Sequence, residues 1–263
     1  MKINGKRFLL TGASGGIGQA LAKQLSAAGA ELILVGRNIS ILSELADSLS
    51  MAECIRADLS CEKDIEYLSE RLKDAPLDGL IHAAGLNKFA TLENISASNM
   101  QAILHTNLLV PMLLSQLFLP QLLTRPEAIV LNVGSTFGSI GYAGYSTYCA
   151  SKFGLRGFSE ALRRELADSS VKVLYVAPRA TKTAMNSDAV QNMNRQLAVM
   201  EDSPELVARC IMQAIESERP LTYLGWPEKF FARINGVLPS LVDKSLKKQL
   251  PTIKAFAAQK TLI

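Results

Sequence analysis

Residues 11–18 read Thr-Gly-Ala-Ser-Gly-Gly-Ile-Gly, between a short apolar run at Arg7 to Thr11 and a helix-period run from about Ile17 to Ala28. No other feature restricts the fold as much. A strand that turns through several glycines into a helix brings backbone amides, free of side chains, to the helix N-terminus. That end of a helix favours anions, and Gly12, Gly16 and Gly18 would let a pyrophosphate approach closely.

The same change of period, from two to about 3.6, recurs along the chain. Glu31 to Val35 reads as a strand, followed by a helix from about Ser40 to Ser50 that carries Leu42, Leu45 and Leu49. Ala52 to Ala57, Gly79 to Ala83, Ala128 to Val133 and Val171 to Ala177 read as further strands, each apolar enough for cover on both faces. Six strands alternating with helices predict an α/β chain, a Rossmann-type doubly wound parallel sheet flanked by helices. After Pro178 the pattern loosens into a polar stretch, a helix from about Pro204 to Ser217 and a strand near Leu221 to Leu224. The expected organisation is one domain over 1–263, with a core at about 5–225 and a C-terminal extension from about 226.

Composition narrows the function. A net charge of +4 gives nucleic-acid binding no support. Cys54, Cys61, Cys149 and Cys210 form no CxxC pair and have no companion histidines, so neither a metal site nor a disulfide framework is expected. A reducing, cytoplasmic compartment follows. Lys2, Lys6 and Arg7 before Phe8-Leu9-Leu10 imitate a signal peptide, but the apolar run is short and enters the glycine turn. Leu108 to Leu123 is the most apolar stretch and, interrupted by Pro111, Ser115, Gln116, Pro120 and Gln121, falls short of a bilayer span.

Tyr148 and Lys152 stand four apart in Tyr-Cys-Ala-Ser-Lys, on one face of an expected helix that follows the strand and loop carrying Ser135. A phenol of ordinary pKa, about 10, is a poor acid-base group at neutral pH, so the chemistry calls for a cation beside it that favours ionised tyrosine.

With these motifs the chain resembles the short-chain dehydrogenase/reductase family over roughly residues 5–225. The likeness lies in the glycine turn, Asp58 after the third strand, Ala84-Gly85 after the fourth, Asn107 in the long helix, Asn132 to Ser135 ending the fifth, the Tyr148–Lys152 motif, and Pro178 and Thr183 after the sixth. The resemblance implies hydride transfer between a nicotinamide cofactor and a carbonyl or secondary alcohol. It makes Tyr148 the proton donor or acceptor, and gives Lys152 the task of lowering the tyrosine pKa and holding the nicotinamide ribose. Ser135 would orient the substrate oxygen, and Asn107 would hold a water that links Lys152 to solvent. Cofactor contacts would come from Gly12, Ser14, Gly16, Ile17, Gly18, Arg37, Asp58, Leu59, Ala84, Gly85, Tyr148, Lys152, Pro178, Thr181 and Thr183. Arg37, where an acid would select NAD, together with Ser14 favours the 2′-phosphate of NADP(H). Asp58 suits either an adenine amino group or a helix cap. A homodimer or homotetramer is expected of such a chain.

Two departures from the family stand out. His82-Ala83-Ala84-Gly85 replaces the more common Asn-Asn-Ala-Gly, and His82, on an apolar strand, reads as a satisfied core residue. Arg179 replaces the usual glycine after Pro178, placed to meet a substrate carboxylate or phosphate or to pack against the C-terminal segment.

From Glu228 onward seven lysines or arginines and two acids interleave with apolar residues. This basic amphipathic tail suits an anionic bilayer, a lid over an apolar substrate, or a subunit interface, and Pro227, Pro239 and Pro251 are expected to break it into short pieces. A lid or interface is the favoured reading. The substrate expectation is a lipophilic carbonyl such as a 3-oxoacyl, terpenoid or steroid-like compound. The rivals are a catalytically silent NADP-binding sensor or scaffold, and a membrane-surface protein acting through the tail.

Overall fold

A computed structural model describes residues 1–258. The chain runs β1 (Arg7–Thr11), α1 (Gly16–Ala27), β2 (Glu31–Gly36), α2 (Ile39–Asp47), β3 (Ala52–Arg56), α3 (Glu62–Leu72), β4 (Gly79–His82) and α4 (Ala97–Leu104). A π-helical turn at His105–Leu109 leads into α5 (Val110–Leu123), followed by β5 (Ala128–Val133), α6 (Ser146–Glu165) and β6 (Val171–Ala177). The remainder is α7 (Asp188–Gln196), α8 (Pro204–Glu216), β7 (Leu221–Tyr223), α9 (Trp226–Val237) and α10 (Pro239–Ala257).

The strands form one parallel sheet in the order β3-β2-β1-β4-β5-β6-β7. The expected strand near Leu221 to Leu224 is β7, which joins the other six by pairing with β6 at the edge. Alternation along each strand divides the core. Phe8, Leu10, Leu32, Leu34 and Leu131 face Leu21 and Leu25 of α1 and Val207 and Ile211 of α8, whereas Leu9, Ile33, Leu80, Val130 and Val173 face α3, α5 and α6. β3, at the opposite edge from β7, differs from expectation: only Ile55 in it is buried, since an edge strand lacks cover on its outer side.

Helical structure is continuous over 97–123, a run long and apolar enough to cross a membrane by length and composition, longer than the sequence suggested. Val110, Leu114, Phe118 and Leu122, at spacing four, turn one stripe of α5 onto the sheet. The C-terminal prolines also behave differently from expectation. Pro227 and Pro239 occupy first-turn positions, where the missing amide costs nothing, and Pro251 lies inside α10, so the tail is two helices.

Strand order reverses between β1 and β4, where Thr11 pairs with His82. In such sheets the ligand crevice opens beyond the carboxyl ends at this reversal. Gly12 leaves β1 there at φ +69°, and a Cβ on it would lie 2.5 Å from the backbone nitrogen of Ala84. Gly12→Ala is therefore expected to lower stability by about 3 kcal/mol, read as the urea midpoint at unchanged slope.

Candidate active site

Segments that follow β1 to β6 meet beyond the carboxyl ends of these strands, in four groups. The first is the start of α1, whose N-cap Gly15 makes no side-chain cap bond and whose first turn has no acidic residue. Its opening amides are thus unspent and suited to an anion. Gly18 turns its Cα against the carbonyl of Gly12, and a Cβ on Gly16 would sit 3.0 Å from Thr183 Cγ2, so the segment after β6 folds over this helix start. Ile17 packs at the core margin beside it.

The end of β2 supplies Arg37, exposed, and Ser14 Oγ lies within 3.5 Å of where a Cβ on Gly36 would stand. Arg37 and Ser14 thus border one corner of the crevice. Asp58 Oδ1 accepts hydrogen bonds from the amide (3.0 Å) and hydroxyl (2.7 Å) of Ser60, which, with the charge of Arg37, hold its carboxyl below the ordinary aspartate range. The α3 N-cap is Cys61, so Asp58 braces the approach to the helix rather than capping it. Leu59 is buried behind it.

The third segment brings the catalytic candidates together. Asn107 is fully buried in the π-helical turn, where its Oδ1 accepts from Leu86 N (2.7 Å) and its Nδ2 donates to Leu86 O (2.8 Å) and Ser151 Oγ (3.0 Å). The amide expected to hold a water is instead bonded to protein on both atoms. Ser151 Oγ donates onward to Tyr148 O (2.7 Å). Ala84 N donates to Thr11 Oγ1 at 3.3 Å, and a Cβ on Gly85 would sit 3.4 Å from Asn107 Oδ1 and 3.9 Å from Lys152 Nζ.

Lys152 is buried, its Nζ donating to Val133 O at 2.9 Å and standing 5.8 Å from the centre of the Tyr148 ring. Burial pushes its pKa down to about 8. Burial also pushes Tyr148 up to about 12, the Ser135 hydroxyl opposing this through a hydrogen bond. The lowering expected of Lys152 is not among the influences on the phenol, of which burial is the largest. The ammonium is directed at a carbonyl instead.

Sequence reasoning missed the aromatic wall beside Tyr148. Phe137 stacks on Tyr142 (4.9 Å between ring centres) and Tyr145 lies 5.1 Å from Phe89, with Val190 of α7 in the same cluster. Tyr142, Tyr145 and Tyr148, spaced by three, were the available signal; nothing local announced Phe89 or Val190. Tyr175 was also missed. Its hydroxyl lies 3.4 Å from Ser135 N, Ser135 O and Lys152 O, a buried prop beneath the site.

The fourth segment follows β6. Pro178 O accepts from Thr136 N at 2.9 Å, and Thr181 is buried with its hydroxyl spent on Arg179 O (3.0 Å). Arg179 forms a two-pronged ion pair with Asp202 (2.8 and 3.0 Å) and meets Glu228 of α9 at 3.4 Å. Two carboxylates already neutralise it, so Arg179 packs against the C-terminal segment, one of its two expected alternatives. His82 is buried on β4 with Nε2 3.3 Å from Ser115 Oγ and its pKa pushed down to about 3; Nδ1 has no partner among the described residues, so it is a core residue only half satisfied. The described residues hold no cluster of metal-binding side chains.

The model of the family "short chain dehydrogenase" matches residues 6–194. The chain belongs to this family. It is 31% identical to the ketoacyl reductase HetN of Nostoc sp. over 223 residues, covering 82% of this chain and 77% of that protein. A short-chain dehydrogenase/reductase from Burkholderia phymatum, solved in complex with NAD, superposes with TM-score 0.83 at 20% identity, covering 92% of this chain and 96% of that one. A short-chain dehydrogenase from Sphingobium yanoikuyae in complex with NADPH gives 0.78 at 24% identity, covering 90% and 95%. The oxidoreductase family and its fold therefore stand.

Arg179 and Asp202 are 12% and 5% exposed, whereas Glu228 is 26% exposed and more distant. Arg179→Met is expected to cost about 3 kcal/mol by leaving Asp202 unpaired, and Glu228→Gln under about 1 kcal/mol, both measured by urea unfolding.

Proposed function

We propose that this chain is an NADP(H)-dependent carbonyl reductase or alcohol dehydrogenase. The observation that carries the reading is the convergence of Ser135, Tyr148 and Lys152 beside Gly85, across the crevice from an α1 N-terminus with unspent amides. These residues fit a dinucleotide: the α1 amides with Gly12, Gly16 and Gly18 would hold the pyrophosphate, Arg37 and Ser14 the 2′-phosphate, and Asp58, Leu59, Ala84 and Gly85 the adenosine side. Ile17, Tyr148, Lys152, Pro178, Thr181 and Thr183 would complete the nicotinamide side. When bound, the nicotinamide supplies or accepts the hydride.

The remaining work belongs to the chain. Ser135 orients the carbonyl oxygen toward Tyr148, converting a chance encounter into a fixed geometry. Tyr148, fully protonated at neutral pH because burial holds its pKa near 12, gives its proton to that oxygen. This state suits reduction, the direction an NADP preference also favours. Lys152 would hold the ribose and pass a proton taken up from solvent back to Tyr148. Asn107 positions Lys152 indirectly, by anchoring Ser151 one residue before it.

The aromatic wall of Phe89, Phe137, Tyr142 and Tyr145 supports a lipophilic substrate of the 3-oxoacyl, terpenoid or steroid-like kind. The named activity of HetN points to the first of these. Leu104, Leu109, Met112 and Leu117 along the 97–123 run, with Phe153 on α6, are exposed apolar residues suited to pairing subunits as a homodimer or homotetramer. Four free cysteines fit a reducing, cytoplasmic setting.

Two measurements test the reading. Tyr148→Phe should lower kcat for ketone reduction by about 100-fold or more while NADPH binding, followed by fluorescence, stays near the parent value. Comparable turnover would remove Tyr148 as proton donor. Arg37→Asp should reverse the NADPH-over-NADH preference in kcat/KM, and an unchanged ratio would remove the reason for assigning NADP(H).

A further inference from the structure

All of the positive excess of this chain lies at its end. Residues 228–263 carry seven of the 28 lysines and arginines and two of the 24 acids, so the preceding residues hold 21 cations against 22 acids. Lys229, Arg233, Lys244, Lys247, Lys248 and Lys254 are all exposed. One of the two acids, Glu228, is turned inward to Arg179.

α9 sorts its side chains by face. Glu228, Ala232 and Asn235, at spacing four and three, point inward: Glu228 to Arg179, Ala232 buried, and Asn235 Nδ2 donating to Ser139 O at 2.8 Å. The outward stripe, Trp226, Phe230, Arg233 and Val237, recurs at helical spacing. Trp226 is 76% exposed, Phe230 49% and Val237 78%, with Phe231, Leu238 and Leu241 also exposed. α10 repeats the division, with Val242, Gln249 and Ile253 inward and Lys244, Lys247 and Lys248 outward. Gln249 Oε1 accepts from Tyr142 OH at 2.9 Å, so both helices are fastened to the loop beside Tyr148.

We propose that the outer face of α9, the α9–α10 junction at Leu238 and the lysines of α10 form a docking surface for an anionic lipid membrane. The chemistry of the face selects that occupant. An aromatic and aliphatic ridge enters the headgroup boundary, while the flanking cations meet lipid phosphates; tryptophan is suited to that boundary because its ring is apolar and its N–H polar. A merely solvated helix pair would carry neither the ridge nor so large an excess of cations, six exposed against one exposed acid, Asp243. The inference concerns binding alone and stands whatever the substrate is.

Trp226 is the sole tryptophan of the chain, so its emission reports directly on this face. The full chain is mixed with vesicles of phosphatidylcholine alone or mixed with phosphatidylglycerol, then followed by flotation, by Trp226 emission and by quenching from brominated acyl chains. Flotation with the anionic vesicles, a blue shift and quenching are expected, lost as salt is raised. Lys244→Ala/Lys247→Ala/Lys248→Ala should weaken partitioning by about 100-fold, roughly fivefold per lysine. Phe230→Ser/Phe231→Ser should abolish quenching, and both variants should keep the parent circular dichroism melt, since every changed side chain is exposed. No flotation with anionic vesicles, or flotation indifferent to the lysines, overturns the proposal. So does a blue shift that grows with protein concentration without lipid while light scattering shows the mass doubling, because the face would then be covered by a second copy of the chain. Turnover enters none of these readings, so a failed activity assay leaves the test intact.

Discussion

The site depends on how one buried amide satisfies its hydrogen bonds. Asn107 binds both backbone groups of Leu86 and the hydroxyl of Ser151, and Ser151 in turn bonds the carbonyl of Tyr148. A buried carboxamide left without partners is costly, so these bonds pin three segments at once: the loop after β4, the turn between α4 and α5, and the start of α6. The turn is π-helical at this residue, and such wide turns often mark functional sites because they re-aim a side chain inside an otherwise regular helix. Tyr148 and Lys152 inherit their positions from that arrangement.

Once they are held there, burial rather than mutual attraction decides their protonation. Lys152 Nζ is committed to the carbonyl of Val133, and Tyr148 is held protonated with Ser135 opposing. Each group therefore prefers its uncharged form more than it would in water. An acid waiting with its proton in place is the form the proposed carbonyl reduction would need.

The expectations from sequence succeeded where the physics is local and failed where a partner comes from far away. β1, β5 and β6 have the bounds that strand period and apolar content suggest, and the glycine turn opens a helix as expected. The tail went differently. Its prolines looked like breaks, but two of them sit in first turns, and their helices are held by Arg179, Ser139 and Tyr142, residues 49 to 107 positions away along the chain. Arg179 is the sharpest case, because its two carboxylates come from either side of α8 in sequence and no spacing rule joins them. The aromatic wall likewise recruits Phe89 and Val190 through packing alone.

The sequence by itself determined the parallel α/β architecture, the glycine cradle at the start of α1 and the Tyr148–Lys152 pair. Periodicity, glycine's conformational freedom and helical spacing act within a few residues. Tertiary structure alone decided the surroundings of those groups. It spent Asn107 on protein partners, turned Lys152 toward Val133, raised Tyr148, neutralised Arg179 and divided α9 into an anchored face and an exposed one. Hydrogen-bond satisfaction and loss of solvent depend on which segments meet, and that is set only when the sheet closes and its loops gather at one end.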